Sequence, residues 1–186
     1  MTASPRIGVL GVGDELMGDG GIGPLVLKTL EARYEIPPNV LLHDLGTPGP
    51  GIASFLADYD AIILIDTMSA KGRLTDGRGY SKRHLDRGPF LRCVSPHDPA
   101  LVEALLFAEF SGKGPREVLL LSVIPEATEM GCTPAEELWA AVVPAMSAVL
   151  AELHRLGVDV RARAHEAVPS IWWEEKLVLE SEPAET

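Results

Sequence analysis

Four short apolar runs punctuate the chain, and each is followed by a stretch whose apolar residues fall at helical spacing. RIGVLGV (6–12) is β-branched and closed by glycines, so it predicts a buried strand that leads into a loop. Beyond that loop Leu25, Val26, Leu27, Leu30 and Tyr34 keep a helical period until "EIPP" stops it. NVLLHD (39–44) repeats the strand signal, GTPGPG (46–51) turns the chain, and IASFLADY (52–59) predicts a short helix. AIILID (61–66) is the strongest strand signal, because five continuous apolar residues ending in a carboxylate suit a central parallel strand whose end meets solvent.

Residues 71–92 are rich in Gly, Arg, Lys and Asp and predict an exposed excursion with a weak edge strand or two. PALVEALLFAEF (99–110) is helical, and EVLLLSVIP (117–125) is another buried strand, ended by proline. The helix predicted over 133–157 opens with Thr133 as N-cap, Pro134 at its first position and Glu136 three residues after the cap. Pro144 is positioned to kink it. Alternating buried strands and helices imply right-handed crossovers and an open, mostly parallel sheet with helices on both faces. Ligands of such sheets sit outside the carboxyl ends of the strands, which puts the 13–23 loop, Asp44, Asp66 and the His97 segment on one rim. The predicted organisation is a single α/β domain over 1–162 and a C-terminal extension over 163–186, whose Trp172 and Trp173 are available for packing.

The totals narrow the function. At 186 residues and 46% hydrophobic content the chain can bury one substantial core. A formal net charge of −11 argues against a nucleic-acid partner, which needs clustered Lys and Arg. The longest apolar run is far too short to span a bilayer, and MTASPRIGVL lacks the pattern of a signal peptide, so the expectation is a soluble, cytoplasmic protein with no membrane partner. Cys93 and Cys132 make neither a disulfide framework nor a CxxC pair.

The glycine-rich loop GVGDELMGDGGIGP (11–24) is where the chemistry concentrates. It fails the dinucleotide fingerprint, since Leu16 stands where the third glycine belongs, and it fails the P-loop pattern, since no lysine precedes Lys28. Asp14, Glu15, Asp19 and the strand-end Asp66 would repel a polyphosphate, so a metal or a cationic peptide fits the charges better. SPHDP (95–99) adds an imidazole, His97, held between prolines. Carboxylate with imidazole is a common first shell for zinc or nickel. Taken singly, a histidine near prolines is more often a solvated or capping residue than a ligand, and a strand-end aspartate is a helix cap or turn former about as often as a ligand; only their convergence on one rim lifts the pair above those readings. His43, His84, His154 and His165 are read as structural or solvated.

Five segments in order resemble the hydrogenase maturation protease family: GVGDELMGDGGIG, HDLGTPG, ILIDTMSAKG, VSPHD, and VIPEATEMGCTPAEELWAAVVPA. Residues past about Gly157 lie outside the resemblance. It implies a three-layer α/β/α sandwich with a mostly parallel twisted sheet, of the phosphorylase/hydrolase-like kind. It also implies an aspartic-type endopeptidase that activates a hydrogenase, by removing a C-terminal extension from the nickel-iron hydrogenase large-subunit precursor after nickel insertion. Nickel is the implied ion, supplied by the substrate, with zinc or cadmium as substitutes in vitro, and the implied working form is a monomer.

Carried over position by position, the resemblance makes Asp66 and His97 the catalytic and metal-holding pair. The family's third ligand is an acidic residue of the first loop, and that position here is Gly20. Its neighbour Asp19 is retained and assigned as the substitute metal ligand, with Glu15 as the alternative, and Asp14 replaces an asparagine. If the backbone were extended at this point, Asp19 would face away from the Gly20 position. Asp44, Gly20 and Gly21 are assigned to the substrate groove, with a turn-forming role for Asp44 equally open. The departure at Gly20 leaves two function classes in view beside each other: a protease with an open site, and a non-cleaving homologue that binds the large subunit as a maturation scaffold.

Overall fold

A computed structural model of the chain describes residues 4–14, 18–48, 52–67, 78–81, 98–124 and 136–165. Its elements in chain order are β1 (Ile7–Gly11), a 3-10 turn (Gly18–Gly21), α1 (Ile22–Arg33), β2 (Tyr34–Glu35), β3 (Val40–Asp44), α2 (Ile52–Leu56) and β4 (Ala61–Thr67). There follow β5 (Arg78–Ser81), α3 (Asp98–Phe110), β6 (Glu117–Val123), α4 (Glu136–Arg155) and β7 (Arg161–Ala162). Strands β3, β1, β4 and β6 pair in that order, all parallel, and β5 adds an antiparallel edge beside β6.

Side-chain alternation sorts the core into two layers. On one face Ile7, Val9, Ala61, Ile63, Ile65, Leu121 and Val123 pack with α1 and α4. On the other Leu10, Ile62, Leu64 and Leu120 pack with Ile52, Leu56 and Tyr59 around α2 and with Ala104 of α3. All seven residues of β4 are buried, as a strand covered on both faces requires. The expected three-layer α/β/α sandwich is therefore the observed one.

The helices run antiparallel to the strands, and two contacts fix their direction. Arg155, at the end of α4, reaches Glu117 at the start of β6, Nη2 to Oε2 3.2 Å. After α3, the amide of Arg116 donates to the carbonyl of Asp60 at 2.8 Å, and the amide of Asp60 donates to the carbonyl of Arg6 at 2.9 Å. Both helices thus end at the amino edge of the sheet and begin at its carboxyl edge. Each stops in the same way: Gly112 (φ +67) and Gly157 (φ +81) take the left-handed conformation, and the next amides, of Lys113 and Val158, bond back to Ala108 and Leu153.

Several predicted bounds shift for local reasons. The 52–59 helix ends at Leu56, because Ala57 and Asp58 turn and Tyr59 folds into the core, its ring tilted against Phe55 at 5.4 Å and edge-on to His43 at 6.3 Å. Burial raises the Tyr59 pKa above its usual value, with Arg6 nearby working the other way. Pro144 lies on the exposed face of α4, which runs through it unbroken from Glu136 to Arg155. Thr133 and Pro134, the predicted cap, lie outside the described residues, as do Cys93, Cys132, Trp172 and Trp173. The weak edge strand expected within 71–92 is β5.

One pairing has no periodic signal in the sequence. Tyr34 and Glu35 form a two-residue antiparallel ladder with Ala162 and Arg161. Arg163 continues it: its backbone amide donates to Arg33 O at 2.8 Å and its guanidinium Nε to Glu31 O at 3.1 Å, so two of the last carbonyls of α1 are satisfied, one of them by a cation.

Candidate functional site

The strand order reverses at β1. The chain leaves β1 for β3 on one side and returns to place β4 on the other, with α1 on one face of the sheet and α3 on the opposite face. The crevice outside the carboxyl ends of β1 and β4 is where such sheets bind ligands.

Backbone hydrogen bonds fasten the first loop into that crevice. The amide of Val12 donates to Ile65 O at 2.8 Å, the amide of Gly13 to Gly46 O at 2.9 Å, and the amide of Leu45 to Gly11 O at 2.9 Å. Gly13 has φ +137, and a side chain on it would run into the carbonyl oxygen of Gly20. Gly23 brings the first turn of α1 against the ends of β1 and β4: a Cβ there would strike the backbone of Val12 and lie 2.8 Å from Ile65 O. These are positions where only glycine permits the approach. The segment between them is not extended. Residues 18–21 wind as a 3-10 turn that runs directly into α1. The alternation expected to turn Asp19 away from the Gly20 position therefore has no basis in the backbone, since neighbouring residues of a 3-10 turn are separated by about 120°.

Asp66 closes β4. Its side chain is 1% exposed, and among the described residues it is the only charged side chain so buried. Oδ1 accepts a hydrogen bond from the amide of Thr67 at 2.7 Å. Alternation along β4 puts Asp66 on the face that carries α2 and α3. Across the ladder it pairs in register with Ser122, itself buried, as is Thr67. The sequence analysis did not single out Ser122 or Thr67. The available signal was the lone hydroxyl in the apolar run EVLLLSVIP. Desolvating a carboxylate is costly unless polar partners surround it, so this placement is a constructed one rather than an accident of packing.

Asp44 is exposed, and its Oδ1 accepts from the amide of Gly46 at 2.9 Å, closing the turn after β3. Of the two roles expected for it, the turn-forming one is present. Asp44→Asn keeps the acceptor and is expected to leave the thermal midpoint unchanged, while Asp44→Ala loses about 1 kcal/mol of stability; matched calorimetric scans of the two variants measure the difference. Gly20 and Gly21 are buried at the loop's return. His43 packs edge-on against Phe55 at 5.0 Å, a structural contact as expected, and His154 pairs with Asp159 at the surface.

His97 and Glu15 lie outside the described residues, and of Asp19 only the backbone is described. Asp66 suits a divalent cation in kind, being an anionic oxygen donor at the crevice. It does not suffice in number: among the described residues no three His, Cys, Asp or Glu side chains group as a metal site. Among the same residues no helix is long and apolar enough to cross a membrane.

Comparison with known proteins gives a consistent answer. Residues 24–152 match a family model described as hydrogenase maturation protease. The chain is 34% identical over 160 residues to the hydrogenase 2 maturation protease of Escherichia coli (strain K12), covering 85% of this chain and 96% of that protein. It is 34% identical over 171 residues to the hydrogenase expression/formation protein HoxM of Azotobacter vinelandii, covering 90% and 81%. Among solved structures it superimposes on the hydrogenase maturating endopeptidase HybD from E. coli with a TM-score of 0.78 at 32% identity, covering 86% of this chain and 98% of that one.

Proposed function

The chain belongs to the hydrogenase maturation protease family, and on that premise we propose that it is an endopeptidase that removes the C-terminal extension of a nickel-iron hydrogenase large-subunit precursor once nickel is in place. The observation that carries this reading is Asp66, a buried carboxylate at the end of the central strand, in the crevice where the strand order reverses. His97 immediately precedes α3, which packs on the face of the sheet to which Asp66 belongs and begins at the same edge. That succession favours a shared site for the two residues.

Asp66 and His97 are the residues that would hold a divalent ion, and nickel carried in by the precursor is then part of the substrate. When bound, the ion supplies Lewis-acid polarisation of the scissile carbonyl. The chain's own contribution is positional. Asp66 presents a fixed anionic oxygen, oriented by the Thr67 amide, and the burial around it keeps bulk water from competing for its charge. The glycine-bounded loop lets a substrate backbone approach β1 and β4 closely, in the manner in which α1 itself does at Gly23. With Gly20 in place of an acidic side chain, the crevice is left open for the precursor's metal, and the carboxylate of Asp19 or Glu15 is the candidate third donor. The setting proposed for this activity is cytoplasmic.

Gly20 also favours a second reading, in which the chain binds the precursor as a scaffold without cutting it. Incubation with nickel-loaded large-subunit precursor separates the two. Loss of mass at the precursor's C-terminus is the expected result, whereas a stable complex with an intact precursor would establish the scaffold. Nickel titration completes the test: the free chain is expected to bind nickel weakly and the chain–precursor complex to retain it, and tight binding by the free chain would remove the substrate-supplied ion from the proposal.

A further inference from the structure

A buried hydroxyl stands beside Asp66 with no partner of its own. Ser122 is 3% exposed and lies opposite Asp66 in the β4–β6 ladder. Alternation gives it the face of Leu120, the one that carries α2 and α3 and to which Asp66 also belongs. Buried polar groups are nearly always hydrogen-bonded, and other hydroxyls of the chain keep that rule. The buried Thr29 Oγ1 donates to Leu25 O at 2.8 Å, and even the exposed Ser111 and Ser147 donate to Phe107 O and Val143 O. Among the described residues no group bonds the Ser122 hydroxyl. The hydroxyl of Thr67 shares that condition, but alternation along β4 turns it to the opposite face, with Ile63 and Ile65. The neighbours of Ser122 on its own face of the two strands are Ile62, Leu64 and Leu120, so packing alone calls for an apolar residue here. An unsatisfied hydroxyl in that setting costs stability and gives the free chain nothing in return.

We propose that Ser122 is a substrate-contact residue, whose hydroxyl bonds a backbone peptide group of the precursor next to the scissile bond. Adjacent strands are about 4.8 Å apart, so a substrate group that reaches the Asp66 carboxylate is also within reach of Ser122. Both residues stand near the carboxyl ends of their strands, at the edge where the crevice opens. A hydroxyl donates and accepts, and so matches either the carbonyl or the amide of a peptide bond, whereas an ionised carboxylate only accepts. The precursor's metal and its backbone thus meet different partners on neighbouring strands: the carboxylate takes the ion, and the hydroxyl sets the register of the peptide beside it. The inference rests on the reading of this crevice as the place where the precursor binds, whether or not it is cut there.

Calorimetric titration with nickel-loaded large-subunit precursor tests it, alongside cleavage kinetics and thermal unfolding of the same preparations. Ser122→Ala is expected to weaken precursor binding about five- to tenfold and to raise KM by the same factor, with kcat unchanged within about twofold. It is also expected to unfold at or above the native temperature, because the hydroxyl it removes has no partner in the free chain. Ser122→Thr and Ser122→Val add the same bulk and differ only in the hydroxyl, so the threonine variant is expected to bind at least about threefold more tightly than the valine variant. Native affinity in Ser122→Ala, or equal affinity in the threonine and valine variants, overturns the proposal. So does a fall in kcat at constant KM, which would make the hydroxyl a positioning group for Asp66, and so does a lowered thermal midpoint of Ser122→Ala, which would give the hydroxyl a partner inside the fold. Failure of the native chain to cleave is a separate result: it removes the protease reading, and the binding measurements still decide the role of Ser122. A native chain that does not bind the precursor overturns both.

Discussion

Asp66→Asn is expected to lower the rate of precursor cleavage by about 10²–10⁴-fold while leaving the protein folded. Asparagine is nearly isosteric and keeps an Oδ1 to accept the Thr67 amide, so the hydrogen bond at 2.7 Å and the packing around a side chain 1% exposed both survive. What disappears is the negative charge. The neutral isostere keeps the size and this hydrogen bond of the native side chain and is therefore expected to remain folded. Loss of activity in a protein that stays folded is the signature of a residue kept for chemistry. Cleavage followed by mass spectrometry, alongside thermal unfolding of the same preparation, provides both readouts. An Asp66→Asn protein that processes precursor at the native rate would remove this residue from the mechanism.

Gly23→Ala acts on the fold instead. The added Cβ meets the backbone of Val12 and the carbonyl of Ile65, neither of which can rotate aside, so α1 must be displaced from the ends of β1 and β4. The expected cost is about 3 kcal/mol or more, a drop in thermal midpoint of roughly 6–12 °C for a chain of this size. Gly46→Ala is the contrasting case. There φ is +54 but nothing lies within 4 Å, so the cost is that of the left-handed backbone alone, about 1–2 kcal/mol. If Gly23→Ala unfolds at the native temperature, the close approach at the crevice is not a constraint on the fold.

Much of this architecture was legible because burial on two faces leaves an unmistakable trace. AIILID predicted both the central position of β4 and the carboxylate at its end, since only a strand covered on both sides tolerates five consecutive apolar residues. The loop glycines could be recognised as special, but what each one meets could not, because the contacts of Gly13 with Gly20 and of Gly23 with Val12 are made across the loop. For the same reason the 3-10 winding of 18–21 escaped a reading based on alternation. The β2–β7 ladder was invisible: two residues make no period, and Tyr34 and Glu35 pair with Ala162 and Arg161, 128 and 126 positions further along the chain. PALVEALLFAEF announced a helix, yet its apolar residues surround the axis, so the sequence did not distinguish the face on α2 from the face left outward.

The hydrogen bonds that hold the first loop impose an order of assembly on the nascent chain. β1 emerges first, yet both of its neighbours come later, and the Val12 amide waits for Ile65 while Gly13 waits for Gly46. Until β4 has left the ribosome the glycine-rich segment has no template to close upon, and the crevice does not exist. The crevice therefore appears together with the sheet, and a nascent copy whose β4 is still inside the ribosome does not present it.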